Sequence, residues 1–309
     1  MSTPSLLAHG KFSGRAAGLG LAALGAIAFS GKAIIVKLAY RHGVDAVTLI
    51  MLRMLFALPF FVAMAWWAGR GQARLSRRDQ LSVVFLGVVG YYLSSFLDFL
   101  GLQYISASLE RLILYLNPTL VLILGLLFFK RRITGWQMLG LCLSYAGVVL
   151  VFAHEIQLQG PHAVLGAALV FASVLSYAVY LVYSGELVQR LGSLRLVGLA
   201  TSVACLCCVL QFIVMRPLTA ALVVPEVLGL SLINALVCTV APVLMIMMAM
   251  ERLGPALVSQ VGMIGPLSTM MMGALLLGEP LTPWVLGGTV LVLSGIYVFT
   301  RSKASPLPD

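Results

Sequence analysis

Five ionisable side chains sit inside long apolar runs of this chain: Lys32, Arg53, Asp98, Glu110 and Arg111. A charge taken out of water is costly unless it is paired or used, so each is a functional candidate by default. Three are cations and two are carboxylates. If four pair off, one positive charge remains in low-dielectric surroundings, where it attracts an anionic group such as a carboxylate. Lys32 is the leading candidate for that reader of charge. Asp98 and Glu110 are the deep acids and so the groups able to carry a coupling proton. The competing structural reading has Lys32 and Arg53 snorkelling toward the nearer membrane surface, or pairing with the acids for stability alone.

Uncharged polar residues add a second set. Ser173, Tyr177, Tyr180 and Ser184 recur at helical spacing, and so do Tyr91, Ser94 and Asp98. Either stripe can stack on a substrate or hold helix to helix. Asn234 and Gln260 are further isolated polar candidates for the pathway. Residue types that catalysis needs are missing from these runs. His9, His42, His154 and His162 fall in tails or loops, and no His-Glu-x-x-His spacing occurs. Gly25 to Lys32 superficially resembles a phosphate loop, but Ala33 stands where Ser or Thr is needed. Cys142, Cys205, Cys207, Cys208 and Cys238 lack zinc-ribbon spacing and read as small buried hydrophobes. No catalytic residue, metal set or cofactor site is therefore expected, and the chain reads as a non-enzyme.

The elements that carry these residues follow from composition. The 309 residues are 61% hydrophobic and 10% charged, with mean hydropathy +1.05. Soluble domains carry about a quarter charged residues. The chain is therefore expected to be an all-α integral membrane protein. Ten windows long enough to span as helices fit: 17–39, 46–68, 81–102, 107–129, 134–153, 163–185, 195–215, 227–249, 254–277 and 282–300. With the N-terminus cytoplasmic, fourteen basic residues fall on the inner side, among them Lys130, Arg131 and Arg132. Lys37, Arg41 and Arg216 fall outside. That asymmetry places both termini in the cytoplasm and accounts for the net charge of +10 by the inner leaflet rather than by nucleic acid. By this reading the five buried charges share the outer half; Lys32 and Arg53 lie roughly 10 Å deep at 1.5 Å per residue.

The segment Leu109 to Gly147 recurs without a gap 148 residues later as Leu257 to Gly295. Pro118 falls on Pro266, Gly125 on Gly273, Thr134 on Thr282, Trp136 on Trp284, Gly140 on Gly288 and Gly147 on Gly295. The offset spans five windows, an odd number, so the copies are expected to be inverted in the membrane. Matched prolines deep in two helices predict kinks near a transporter's centre, and the paired Gly125 and Gly273 predict close helix approach. The charged residues are not duplicated: Glu110 and Arg111 fall on Val258 and Ser259.

At Gly273 to Gly295 the Gly-Glu-Pro-Leu-Thr turn followed by Gly287, Gly288 and Gly295 resembles the end of an EamA repeat of the drug/metabolite transporter superfamily. Residues 18–152 and 164–299 resemble its two five-helix repeats. The resemblance implies a ten-helix carrier of small metabolites in the cell (inner or plasma) membrane, many of the family being exporters. Arg131 stands where the second copy has Glu279, a swap that suits the positive-inside bias, so a role for that acid is not expected in the first half. The expectation is a secondary exporter of amino acids or related carboxylates, working by alternating access with protons as the candidate coupling ion. A drug or nucleobase exporter, dominated by the tyrosine stripe, is the alternative within the same fold; an intramembrane enzyme or a non-transporting membrane partner is the alternative outside it. Monomer and dimer are equally compatible with the sequence.

Overall fold

The computed structural model describes residues 6–114, 116–129, 134–155, 160–253, 258, 261–262 and 264–301, and among them every regular element is a helix. Six stretches are long and apolar enough to cross a membrane: Ala16–Tyr40, Ala46–Gly69, Arg77–Gly101, Ala163–Ser184, Ser193–Met215 and Pro225–Ala249. Three apolar helices are shorter, at Met138–His154, Leu267–Leu277 and Pro283–Val298. Their outer faces carry large exposed apolar residues such as Leu81, Val214 and Leu275. Lipid, not water, suits such a surface.

In chain order the helices are α1 (Leu6–Tyr40), α2 (Ala46–Gly69), α3 (Arg77–Gly101), α4 (Ala107–Leu114), α5 (Asn117–Phe129) and α6 (Gly135–Glu155). They continue as α7 (Ala163–Leu191), α8 (Ser193–Met215), α9 (Pro225–Ala249), α10 (Ile264–Met272) and α11 (Pro283–Arg301). The fourth predicted span is thus two helices, α4 and α5. Pro118 is the second residue of α5, where its missing N–H costs nothing and the residue before it resists helix. Pro266 of α10 is preceded by helical residues at 261 and 262, so it lies within a helical stretch as the sequence predicts for a proline deep in a span. Wide π-turns interrupt α3 at Gly87–Leu93 and α9 at Leu236–Val240, and a third, Gly273–Leu277, ends α10.

Packing is paired. α6 lies against α11 and α2 against α8; α1 packs on α9 and α10, while α7 packs on α3 and α5. Glycine permits the first of these contacts. A Cβ on Gly147 would stand 2.6 Å from the Gly288 carbonyl oxygen, and one on Gly295 would stand 2.5 Å from that of Gly140. Between them Ser144 donates to the Val292 carbonyl. Backbones meet here with no room for a methyl group.

Candidate functional site

The charged residues are brought together where α1, α3, α4 and α10 converge. Lys32 of α1 is 8% exposed; its Nζ lies 2.5 Å from Asp98 Oδ2 and 3.4 Å from Glu110 Oε1. The first contact is a charge-assisted hydrogen bond. The second is an ion pair without hydrogen-bond geometry, so both Glu110 oxygens, and Asp98 Oδ1, are buried with no hydrogen-bond partner. Glu110 itself is fully buried. Arg111 turns the other way: its Nε donates to Thr269 Oγ1 at 3.0 Å and one terminal nitrogen to the Phe29 carbonyl at 3.4 Å. The Phe29 ring presents a face to both cations, 5.7 Å from Lys32 and 5.6 Å from Arg111. Through Arg111 and Thr269 this centre joins the first half of the chain to the second.

Arg53 of α2 stands apart from that centre. It is 4% exposed, donates to Ser95 Oγ at 3.2 Å, and lies 4.7 Å from the Phe99 ring centroid. Among the described residues no carboxylate forms an ion pair with it, and its Nε has no partner. The carboxylates claim Lys32, which leaves Arg53 and Arg111 as the buried cations without an ion pair.

The tyrosines of α3 and α7 form a separate cluster. Tyr91 and Tyr180 have ring centroids 5.0 Å apart and hydroxyls 3.3 Å apart, and Tyr177 stacks on Tyr180 at 5.5 Å. Ser94 and Ser173 join the same two helices through a 2.7 Å hydrogen bond from Ser173 Oγ to the Ser94 carbonyl. At the 148-residue offset Tyr177 and Tyr180 correspond to Phe29 and Lys32. One half has a charged centre where the other has an aromatic one.

Asn234 is fully buried in α9, whose first segment packs on α1 and α2, and neither polar atom of its amide finds a partner. Gln260 lies outside the described residues, as do the side-chain surroundings of Pro118, Gly125 and Pro266. Gly273 is buried, and a Cβ there would stand 2.9 Å from Glu279 Oε2.

Sequence reasoning missed that last carboxylate as a site feature. Glu279, after the end of α10, accepts hydrogen bonds from Ala107 N (2.8 Å), Ser108 N (3.2 Å) and Ser108 Oγ (2.7 Å). It caps the free N–H groups of α4 from across the molecule. Nearby, Lys37 Nζ donates to the Leu102 and Ile105 carbonyls, Tyr40 Oη to the Phe99 carbonyl and Arg41 to the Leu277 carbonyl. These bonds tie together the ends of α1, α3 and α10 and the start of α4. A cavity of about 20 Å³, room for one water, lies beside Glu279 and Ser108. The signal in the sequence was the motif itself, an acid in a tight turn at the end of an apolar helix.

Long apolar helices packed in pairs, with lipid-suited outer faces, make this a multi-pass membrane protein, and comparison with known proteins places it among transporters. Residues 16–153 and 164–301 each match the EamA-like transporter family, and the chain belongs to it. It is 28% identical to the uncharacterized transporter YcbK of Bacillus subtilis (strain 168) over 93% of this chain and 94% of that one. It is 27% identical to an uncharacterized transporter of Archaeoglobus fulgidus over 74% of this chain and 81% of that one. A crystal structure with 17% identity superposes with a TM-score of 0.64 over 93% of this chain and 99% of the other, a likeness of fold.

Proposed function

We propose that the protein is a secondary carrier that exports small metabolites, amino acids or related carboxylates, by alternating access between two inverted five-helix repeats, 18–152 and 164–299. The observation that carries this reading is the buried charged centre, whose acids and cations meet where helices of both halves converge. Inversion is supported by the packing. At the 148-residue offset, α6 maps on α11 and α2 on α8, the contact α1–α9 maps on α7–α3, and α1–α10 maps on α7–α5. The π-turns of α3 and α9 fall at corresponding places, and so do the Gly147–Gly288 and Gly295–Gly140 contacts. An inverted repeat offers two similar arrangements of the same contacts, which is what rocking between two states requires.

The reading includes ten crossings, a cell-membrane location and cytoplasmic termini, and involves no catalysis. Reporter fusions at the Arg70–Asp79 loop and at the Arg216–Val224 loop test the orientation; active cytoplasmic reporter at the second loop and not the first overturns it. Transport is tested by counterflow in proteoliposomes with an amino-acid panel. Exchange of at least one amino acid is expected, and exchange of a nucleobase or cationic drug with no amino acid overturns the carboxylate assignment.

A second reading, export of neutral aromatic compounds, draws on the Tyr91–Tyr177–Tyr180 cluster. Lys32→Ala does not separate the two readings, because it strands Asp98 and Glu110 as an unpaired buried acid pair. Tyr180→Leu does: it abolishes transport of an aromatic solute under the second reading and spares a small aliphatic amino acid under the first.

A further inference from the structure

Arg53 is a buried guanidinium for which no carboxylate among the described residues forms an ion pair. A guanidinium carries five N–H donors and no acceptor, and one without a counter-charge is costly to bury. Snorkelling does not account for it. Arg53 lies seven residues inside α2, and at 4% exposure it reaches sideways to Ser95 and the Phe99 face of α3 instead of up to the helix end. Pairing does not account for it either, because the near carboxylate, Asp98, is held by Lys32 at 2.5 Å. Arg53 Nε is left without a partner.

The neighbourhood is unfinished in a complementary way. α9 packs on both α1 and α2, and Cys238 Sγ lies against the backbone of α1 at Gly31, one residue before Lys32. Asn234, one turn earlier on the same face, is fully buried with both amide atoms unpaired. Asp98 Oδ1 and both Glu110 oxygens are buried acceptors without a donor. Arg53 reaches α3 at Ser95 and Phe99, the same stretch that carries Asp98, so an unpaired donor and an unpaired acceptor meet on one segment of α3.

We propose that Arg53, with Ser95 and Asn234, is the carboxylate-binding subsite of this carrier, and that Asp98 and Glu110 receive an ammonium group of the same molecule. The substrate class is then an α-amino acid rather than a simple organic acid. A carboxylate fits the planar guanidinium fork with two parallel hydrogen bonds, and the amide of Asn234 donates to the remaining lone pair. The ammonium of the substrate supplies the donors that the two acids lack. Lys32 acts as their fixed counter-ion and does not bind substrate anions. This assignment rests on the carrier reading above and sharpens it.

The test uses purified protein in lipid nanodiscs, a panel of free amino acids, and for each one that binds its carboxamide and its N-acetyl derivative. In the native protein both derivatives bind at least tenfold more weakly than the free amino acid. In Arg53→Gln the free amino acid weakens to the level of its carboxamide, whose own affinity is unchanged, while Arg53→Lys recovers part of the loss. A folded Arg53→Gln that still prefers the free acid overturns the proposal. So does a native protein that binds acid and carboxamide equally. Should Arg53→Gln fail to fold, protection is read in the native protein: the amino acid slows alkylation of Cys205, Cys208 and Cys238 by N-ethylmaleimide, and its carboxamide does not. Equal or absent protection by the two overturns the assignment. Failure of the carrier reading looks different, because native proteoliposomes then show no counterflow of any solute whatever Arg53 does.

Discussion

Replacing Glu279 should loosen one end of the protein without touching the charged centre. Its carboxylate takes three hydrogen bonds at 2.7–3.2 Å from Ala107 and Ser108, both buried. Loss of a helix cap costs about 0.5–2 kcal/mol, and a hydrogen bond to a charged acceptor contributes about 1.5–3 kcal/mol. The donors are left partly reachable by the small adjacent cavity, so the sum is held to about 2–3 kcal/mol for Glu279→Ala, within those ranges. Glu279→Gln keeps an oxygen but loses the charge, so about half that cost follows. The contact joins the second half to the first at one end only, so its loss favours the state in which that end is open. At 1.4 kcal/mol per factor of ten, the open population rises about 30- to 140-fold. A cysteine placed at Leu102, fully buried beside this seal, reports it through modification by a membrane-impermeant thiol reagent added from that side. Glu279→Ala should raise the rate at least tenfold and Glu279→Gln by less. Unchanged rates in both, with the protein folded, refute the argument that Glu279 holds this end shut.

Further expectations follow from other contacts. Asp98→Asn should remove pH dependence from transport if protons drive it, and an unchanged pH profile removes Asp98 from coupling. Lys32→Gln leaves two buried acids without their cation, a loss of about 3–5 kcal/mol, so it should lower the melting temperature far more than Arg53→Gln; equal shifts contradict the pairing. Gly295→Val forces a side chain against the Gly140 carbonyl and Ser144, and should cost folded yield, whereas Gly20→Ala, with open space around it, should not. Asp45 is partly buried, which raises its pKa, but hydrogen bonds from Thr48 and Val47 and the Arg216 charge more than offset that and hold it below the usual carboxylate range. Its contribution is therefore present above the unfolded carboxylate value and lost as pH falls through the lowered one. The stability gap between native protein and Asp45→Asn should close in acid, as followed by thermal melts across pH; a gap constant with pH contradicts this.

How much of this was legible depended on range along the chain. Apolar runs, the repeat and its glycines are local or self-referential patterns, so they could be read directly. The five buried charges were visible as anomalies in apolar runs. Their partners were not, because Lys32 and Asp98 are 66 residues apart and Arg111 and Thr269 are 158 apart. Which cation meets which acid depends on how helices are rotated against one another, and helical periodicity is weak when most faces are apolar. That is why Lys32 read as the spare charge, although the structure pairs it with both acids and leaves Arg53 without one. The cap by Glu279 was hidden for the same reason: its partners are 171 and 172 residues away. The π-turns had no sequence signal beyond glycines, such as Gly87 and Gly90, that also serve packing.

The central claim is that two repeats alternate access around one site. Counterflow tests it most directly: proteoliposomes are preloaded with an unlabelled amino acid, and a trace of the labelled form is added outside. A carrier that alternates concentrates the label transiently above its outside level before it decays, and that overshoot is the predicted result. Label that merely rises to equality, or does not enter for any amino acid, contradicts the account.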